Sequence, residues 1–509
     1  MLKTLKNIFK KAGILFMAVL VTVLAGCGGN TKPQNDTNST VQSTPSSQQQ
    51  NVSSQQETVS SKPQTVFQER IPDLPYATYT EVSSDNDTSS SASSKPEKED
   101  SKEENWTPGV APQKGAAVSE TPLSNTYKLL TQEKKLTIGY IGGSITLGTS
   151  AQRVVQGGRV IAQAGGNIMD SWVNRVSTWF AEEYPDAKIE TVNAGVSDTA
   201  TNFGVFRLKD QLMNTNGHDM PDLVFIEFTN NDHIYAPNQT ISELKLQIES
   251  LIRNIYTINP YAEIVAVSTN LYKLSSSLKA YTEMCEYYGI PLINVGQVLS
   301  DEMTKRGAPS ESAGTFYYTT DNLHPSATGY YVYTKEIKSK LSKHLKFTAK
   351  SKKIFNYKNS LPTPKSSNLI DNPNILDINS LNYSGNVSVV KQPVQFTIFG
   401  TSTTAMDNYK YGVDEYLSVG NGGKISTTFK GTCLGVLLVL TRNNVDFKYK
   451  IDGGEWKTFG VNDSMNSGQR YEHPQIFMLE HHLSDTTHTL EIEFTSTEKA
   501  NLGALFVNG

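Results

Sequence analysis

The chain has 509 residues, of which 37% are hydrophobic, so part of it is expected to lack a packed core. Its 46 Lys and Arg residues against 50 Asp and Glu leave a net charge of −4, which provides no basic surface for nucleic acid. Three cysteines, one of them inside an export signal, exclude a disulfide scaffold and a cysteine-rich zinc module. The remaining length leaves room for about two folded domains.

The first 27 residues predict a bacterial lipoprotein signal. Residues 1–11 are rich in lysine and contain no acidic residue, and an apolar run over residues 12–24 follows them. This order is typical of a secretory signal peptide, and the run is too short for a comfortable transmembrane helix. Residues 24–27 (LAGC) resemble the bacterial lipobox, which implies that Cys27 is lipidated and becomes the first residue of the mature protein. The alternative is an ordinary cleaved signal with a chance cysteine. We expect a lipid-anchored, extracytoplasmic protein of the bacterial cell envelope.

Residues 28–122 predict a disordered linker rich in Ser, Gln and Asn. Of the 70 residues from 31 to 100, 43 are Ser, Thr, Gln, Asn or Pro, which leaves too few apolar side chains to offset the entropy cost of folding. A flexible chain of this length has a root-mean-square reach of roughly 50 Å. The linker is thus expected to hold the folded part away from the membrane.

Residues 123–348 show strands that alternate with helical patterns. We predict strands at residues 135–143, 188–193, 222–228, 262–268 and 291–295, and helices at 168–184, 242–258, 278–288 and 326–344. Such alternation is typical of βαβ units and of a mostly parallel sheet. The predicted fold class is α/β, a three-layer αβα sandwich.

Polar clusters follow three of these strands and precede the last helix. Ser144 comes directly after two glycines that end the first strand, and Gly195 follows the second strand. Asn231 follows the third strand, and Asp321 and His324 precede the last helix. In open α/β sheets ligands bind outside the carboxyl ends of the strands. We therefore expect these five residues to meet at one site.

The four clusters, read in chain order, resemble the sequence blocks of the SGNH hydrolase (GDSL-type esterase) superfamily. They read GGSIT, NAG, NND and DNLHP, and GGSIT resembles the carbohydrate-esterase-like form of the first block. The resemblance covers about residues 126–348, and it departs from the family pattern at Thr229, where the third block usually begins with glycine. It implies a flavodoxin-like sandwich and a serine esterase that needs no cofactor and no metal.

The chemistry of these residues fits such an esterase. Ser144 would attack an ester carbonyl, and His324 would take its proton and return it to the leaving alcohol. Asp321, three residues earlier, would hold the other imidazole nitrogen. Negative charge on the carbonyl oxygen would be stabilised by the N–H groups of Ser144 and Gly195 and by the side-chain amide of Asn231.

Several nearby residues have two possible roles. Asn230 would replace Asn231 as the donor if the register shifts by one, and Asp232 is expected to be structural. Arg207 either fixes the loop after Gly195 or contacts the substrate. Trp172 is predicted in a helix core rather than as a sugar platform, and Cys285 as a buried free thiol. The glycine-rich insert at residues 151–167 is expected to border the cleft.

After a linker at residues 349–372, residues 373–509 alternate at period two and predict an all-β sandwich, similar to a jelly roll. Asp452 and Gly453 predict a hairpin turn. The segment resembles the jelly-roll modules that accompany carbohydrate esterases, which implies either glycan binding through aromatics such as Tyr416 and Trp456 or packing alone. The four histidines between residues 473 and 488 lack the accompanying ligands of a metal site.

The sequence therefore predicts a surface-tethered serine esterase that removes O-acetyl groups from a polysaccharide. The same triad could instead transfer an acyl group to a sugar hydroxyl, or the protein could be a lipase or thioesterase. A glycan-binding lipoprotein with an inactive hydrolase domain is a further alternative. The expected partners are an acetylated polysaccharide and, through the lipid anchor, a membrane.

Overall fold

The computed structural model describes residues 123–149, 155–156, 159–160, 170–215, 217–235, 239–271, 275–305, 318–319, 323–351, 354–391, 396–398, 401–403, 415–440, 444–462 and 473–509. All of them belong to one compact unit, Glu97–Gly509. The predicted signal, Cys27, the linker over residues 28–122 and Asp321 lie outside the described residues, as does most of the insert at residues 151–167.

The first folded part is built on a five-stranded parallel sheet with the order β4-β1-β5-β6-β7. Its strands are β1 (Lys135–Gly142), β4 (Lys188–Gly195), β5 (Leu223–Glu227), β6 (Glu263–Ser268) and β7 (Leu292–Asn294), and the hairpin β2 (Val155–Gln156) and β3 (Arg159–Val160) lies apart from them. The predicted parallel sheet is thus confirmed.

The helices of this part cover both faces of the sheet. They are α1 (Ser124–Lys128), α2 (Ser144–Leu147), α3 (Trp172–Glu183), α4 (Thr201–Gln211), α5 (Thr229–Tyr235), α6 (Ile241–Ile258), α7 (Ser276–Tyr288), α8 (Val295–Lys305) and α9 (Ala327–Ser351). Along β5, Val224 and Ile226 pack toward α4, α6 and α7, whereas Leu223 and Phe225 pack toward α3, α8 and α9. This alternation produces the predicted αβα sandwich.

The helices that were not predicted from the sequence include α4, α5 and α8. In α4 every residue from Thr201 to Leu208 is buried. A helix buried all round has no polar face, so its sequence lacks the 3.6-residue alternation that identifies an amphipathic helix. By contrast α6, which was predicted, has an apolar stripe and begins with a capping box formed by Thr240 and Glu243.

The second folded part is a β-sandwich, as predicted. Its two larger sheets have the orders β10-β13-β20-β15-β18, with β8 beside β20, and β17-β16-β19-β14-β9. The strands are β8 (Pro373–Asp377), β9 (Asn382–Ser384), β10 (Val387–Val390), β11 (Phe396–Ile398), β12 (Thr401–Thr403), β13 (Tyr416–Val419), β14 (Lys424–Lys430), β15 (Leu434–Leu440), β16 (Asn444–Ile451), β17 (Lys457–Asn462), β18 (His473–Glu480), β19 (Thr487–Phe494) and β20 (Ala500–Asn508). At the predicted hairpin, Asp452 and Gly453 have φ angles of 54° and 68°, which suit a type I′ turn.

The two folded parts share a hydrophobic core. Phe506 of β20 lies 5.6 Å from Phe203 and 4.9 Å from Phe206 of α4, measured between ring centroids. In β15, Leu438 faces the sandwich interior while Leu437 packs in the core shared with the α/β part. A strand that is apolar at every position, as β15 is, therefore has both faces covered.

The segment predicted as a linker at residues 349–372 contributes to this shared core as well. Tyr357 and Ile370 are buried, and Tyr357 stacks on Tyr256 with 5.0 Å between the ring centroids. The carboxylate of Glu249 on α6 accepts from the backbone N–H groups of Lys365 and Ser366. The segment is thus packed against the α/β part where the structure describes it.

Among the described helices, none is long and apolar enough to cross a bilayer.

Candidate active site

Two sequence-distant residues, Ser144 and His324, form a hydrogen-bonded pair. Ser144 is the first residue of α2, directly after β1, and its Oγ lies 2.7 Å from Nε2 of His324. His324 lies just before α9, so the pair joins the two ends of the α/β part. A serine hydroxyl within hydrogen-bond distance of an imidazole nitrogen is the arrangement needed for general-base activation.

Asn231 lies beside this pair. A Cβ atom on Gly143 would lie 2.7 Å from Oδ1 and 2.8 Å from Nδ2 of Asn231, so the amide occupies the space next to the residue that precedes Ser144. Its neighbour Asn230 is also buried, and its amide forms no hydrogen bond with any described residue. Of the two candidates, Asn231 is the one whose amide lies beside the turn that carries Ser144.

Gly195 is needed because α2 packs closely against it, whereas the sequence predicted a role in binding the oxyanion. A Cβ atom on Gly195 would lie 2.3 Å from the backbone nitrogen of Leu147, so the glycine permits close approach of α2. Its N–H donates to Oδ1 of Asn193 at 2.8 Å, and Nδ2 of Asn193 donates to the carbonyl of Thr146 at 3.0 Å. The N–H predicted to bind the oxyanion is thus engaged in this structure, and its catalytic role stays a prediction.

Arg207 has the first of its two predicted roles. Its side chain is fully buried and donates to the carbonyl oxygens of Ala194 and Gly142, at the ends of β4 and β1. A third hydrogen bond goes to Oγ1 of Thr199 in the turn after β4. The guanidinium therefore fixes the turns that follow these strands, and burial keeps it away from a substrate.

Two buried carboxyl groups lie under the site. Burial raises the pKa of Glu227, at the end of β5, to about 7, against hydrogen bonds from Thr269 and Thr146 that lower it. Burial likewise raises the pKa of Asp232 on α5 to about 7, although Thr201 donates to it from both its N–H and its hydroxyl. Asp232 thereby joins α5 to the first turn of α4, which agrees with the structural role expected for it.

Sequence reasoning missed Glu227. The available signal was an acidic residue inside the apolar run DLVFIEF, since a charge in a buried strand requires a partner or a function. The remaining predicted residues have structural positions: Trp172 is buried against Tyr140 and Phe225, and Cys285 is a buried free thiol whose pKa burial raises.

The β-sandwich contacts the turn after β4. Nε2 of Gln475 on β18 lies 3.3 Å from the carbonyl oxygen of Asp198, and Nδ2 of Asn202 donates to the carbonyl of Ile476 at 3.1 Å. Asp198 has a φ of 58°, a left-handed conformation that Asp tolerates better than most residues.

Within the described residues, no three His, Cys, Asp or Glu side chains gather closely enough to hold a metal ion.

Comparison with known proteins agrees with this site. Residues 140–332 match the model of the GDSL-like lipase/acylhydrolase family. This match lies within the α/β part of the chain. The matched range contains all four sequence blocks, and with them Ser144, Gly195, Asn231 and His324. The resemblance to the SGNH hydrolases that the sequence suggested is thus confirmed for this GDSL-like domain.

Solved structures extend the likeness to both folded parts. A two-domain esterase active on acetylated mannans, co-crystallised with mannopentaose, is 19% identical, covers 77% of this chain and 96% of its own, and superposes with a TM-score of 0.57. A second structure of that esterase gives 18% identity, 77% and 97% coverage and a TM-score of 0.56. At this identity the likeness shows a shared two-domain fold. An acetylxylan esterase from Geobacillus stearothermophilus is 18% identical, with 40% and 94% coverage and a TM-score of 0.30. No curated protein matches the chain by sequence.

Proposed function

We propose that the protein is a serine esterase that removes O-acetyl groups from a polysaccharide at the bacterial cell surface. The observation that carries the proposal is the 2.7 Å separation between Ser144 Oγ and His324 Nε2 in a GDSL-like acylhydrolase domain. The neighbouring amide of Asn231 supports it, because acyl transfer needs a donor next to the nucleophile for the developing oxyanion.

In the proposed mechanism, Ser144 Oγ attacks the acetyl carbonyl while Nε2 of His324 takes the hydroxyl proton. The tetrahedral intermediate holds its negative oxygen near the N–H of Ser144 and the amide of Asn231. His324 then protonates the sugar oxygen, which leaves as the free hydroxyl group of the glycan. Water, deprotonated by the same imidazole, hydrolyses the acetyl-enzyme and releases acetate. Asp321 is proposed to hold the second imidazole nitrogen of His324.

Two observations favour a polymer as the substrate. The esterase that shares this two-domain fold is active on acetylated mannans. In addition, residues 28–122 are proposed to be a flexible tether behind a lipidated Cys27, which would let the domain reach insoluble or wall-bound glycans. Acetylated mannans are therefore the first substrates to test, followed by acetylated xylan.

The test measures acetate release by the full chain, kept in detergent, from acetylated mannan and acetylated xylan. The same glycans after alkaline deacetylation control for background. Ser144→Ala should abolish release, whereas Ser300→Ala, on the helix α8, should leave it unchanged. Release that persists in Ser144→Ala would contradict the serine mechanism. Acetyl transfer to an added glycan without free acetate would favour the acyltransferase, and rates that rise with acyl length would favour a lipase or thioesterase.

The proposed location has a separate test. In bacterial cells, the wild-type chain should sediment with membranes and incorporate radiolabelled fatty acid, whereas Cys27→Ala should lose both properties. Cys285→Ala provides the matched control, because it also removes one thiol. Membrane association that survives in Cys27→Ala would contradict the lipid anchor.

A further inference from the structure

We propose that Glu227 is a positioning residue for the nucleophile, and that it acts through the hydroxyl group of Thr146. The proposal deepens the proposed function and rests on it, because it assigns the means by which Ser144 is held in register with His324. Glu227 itself lies beneath the site and does not touch the reacting atoms.

The helix that carries Ser144 is too short to hold its own position. α2 contains four residues, Ser144–Leu147, and ends at Gly148, which has a φ of 97°. A single helical turn fixes many dihedral angles for very few hydrogen bonds, so it is unstable without tertiary contacts. The position of Ser144 Oγ therefore depends on what surrounds α2.

The described contacts hold α2 from three directions. From β4, Asn193 donates to the carbonyl of Thr146 at 3.0 Å. From α9, the hydroxyl of Tyr330 donates to the carbonyl of Ile145 at 3.1 Å. From below, the hydroxyl of Thr146 donates to Oε2 of Glu227 at 2.8 Å.

Glu227 makes two further hydrogen bonds. Its backbone carbonyl accepts from the N–H of Gly143 at 3.3 Å, immediately before the nucleophile. Its other carboxylate oxygen accepts from Oγ1 of Thr269, just after β6, at 2.6 Å. The carboxyl group thus bridges α2 and the end of β6, and both of its oxygens are hydrogen bonded.

The free-energy cost of burying the carboxyl group of Glu227 argues that this residue has a functional role. Glu227 is completely buried, and the nearby carboxylate of Asp232 adds repulsion when both are charged. Burying a carboxyl group costs free energy even when it is hydrogen bonded, and an apolar residue would fill the same strand position without that cost. What an apolar residue cannot do is accept the hydrogen bond from Thr146.

The test compares two threonines that donate to the same carboxyl group. Thr146→Val and Thr269→Val each remove one donor, but only Thr146 lies on α2. The measurement is the rate at which a fluorophosphonate probe labels Ser144, because it reports the serine's reactivity without any glycan. Urea midpoints are measured beside it. We expect Thr146→Val to slow labelling by about 30-fold or more, since small displacements of reacting groups have large effects, and Thr269→Val by less than about threefold.

Thr146→Ser, which keeps the hydroxyl, should restore the wild-type rate. Thr146 packs closely against Gly142, because a Cβ atom built on Gly142 would lie only 2.1 Å from Oγ1 of Thr146. Valine replaces this oxygen with a larger methyl group, which would overpack the contact. If Thr146→Val does not fold, the pair Thr146→Ala and Thr269→Ala replaces it, with the same expectation. Equal labelling rates in the paired variants, or equal losses that track their urea midpoints, would overturn the proposal. A wild-type chain that does not label would instead overturn the nucleophile assignment, and this inference with it.

Discussion

The side-chain amide of Gln475, on β18 of the β-sandwich, lies 3.3 Å from the carbonyl oxygen of Asp198 in the turn between β4 and α4. The second folded part thus contacts the loop that follows one of the predicted site residues, Gly195. This contact connects the sandwich to the turn after β4 without requiring that the sandwich bind any sugar.

Gln475→Ala is expected to lower kcat for a small acetyl ester by about three- to tenfold, with little change in KM, because a mispositioned turn costs rate rather than binding. The matched control is Asn368→Ala, which removes a side-chain contact to His482 elsewhere in the segment that joins the two parts. Steady-state kinetics with 4-nitrophenyl acetate provide the measurement. Equal kcat values for wild type and Gln475→Ala would show that the contact is purely structural.

The two adjacent asparagines should differ sharply in their effect on turnover. Asn231→Ala removes the amide beside the nucleophile turn and is expected to reduce kcat by roughly 10²–10³-fold, the usual cost of one oxyanion donor. Asn230→Ala should reduce it far less. Kinetics on the same ester, with circular dichroism to check the fold, would decide. A larger loss in Asn230→Ala would mean that the register of the donor is shifted by one residue.

Stability should decrease with increasing pH because of Glu227. Its pKa is raised by burial from 4.5 to about 7, so between these values the folded state binds more protons than the unfolded state. The free energy of unfolding therefore falls as the pH rises from about 4.5 to about 7. Glu227→Gln should remove this part of the dependence, on the order of 3 kcal/mol, when urea unfolding at pH 5 is compared with pH 8. Asp232 is present in both proteins, but in Glu227→Gln it no longer feels the charge of Glu227. An unchanged pH dependence would contradict the raised pKa.

The shared core predicts that the two folded parts unfold together. Phe506 is fully buried against Phe203 and Phe206, so Phe506→Ala is expected to lower the free energy of unfolding by roughly 3–5 kcal/mol. Hydrogen exchange measured on peptides from both parts should show faster exchange in α4 as well as in β20. Acceleration limited to sandwich peptides would indicate that the parts are independent.

Local sequence patterns were sufficient for much of the fold. The strands β1, β4, β5 and β6 were predicted within one or two residues because apolar runs bounded by glycine or polar residues are local signals. The positions of Ser144 and His324 relative to strand ends and the last helix were predicted for the same reason. A parallel sheet then requires that the carboxyl ends of its strands share one edge, which brings distant residues to one site.

The sequence could not decide questions that depend on three-dimensional neighbours. Asn230 and Asn231 are chemically identical, and only the packing of α5 against Gly143 sets one of them beside Ser144. The hydrogen bonds that Thr146 makes with Glu227 and with Asn193 join α2 to the ends of β5 and β4, which are distant in the sequence. The packing of β15 against both the sandwich and the α/β part follows from the shared core. Periodicity specifies which face of an element is buried, whereas the partner on that face is specified only when distant elements pack together.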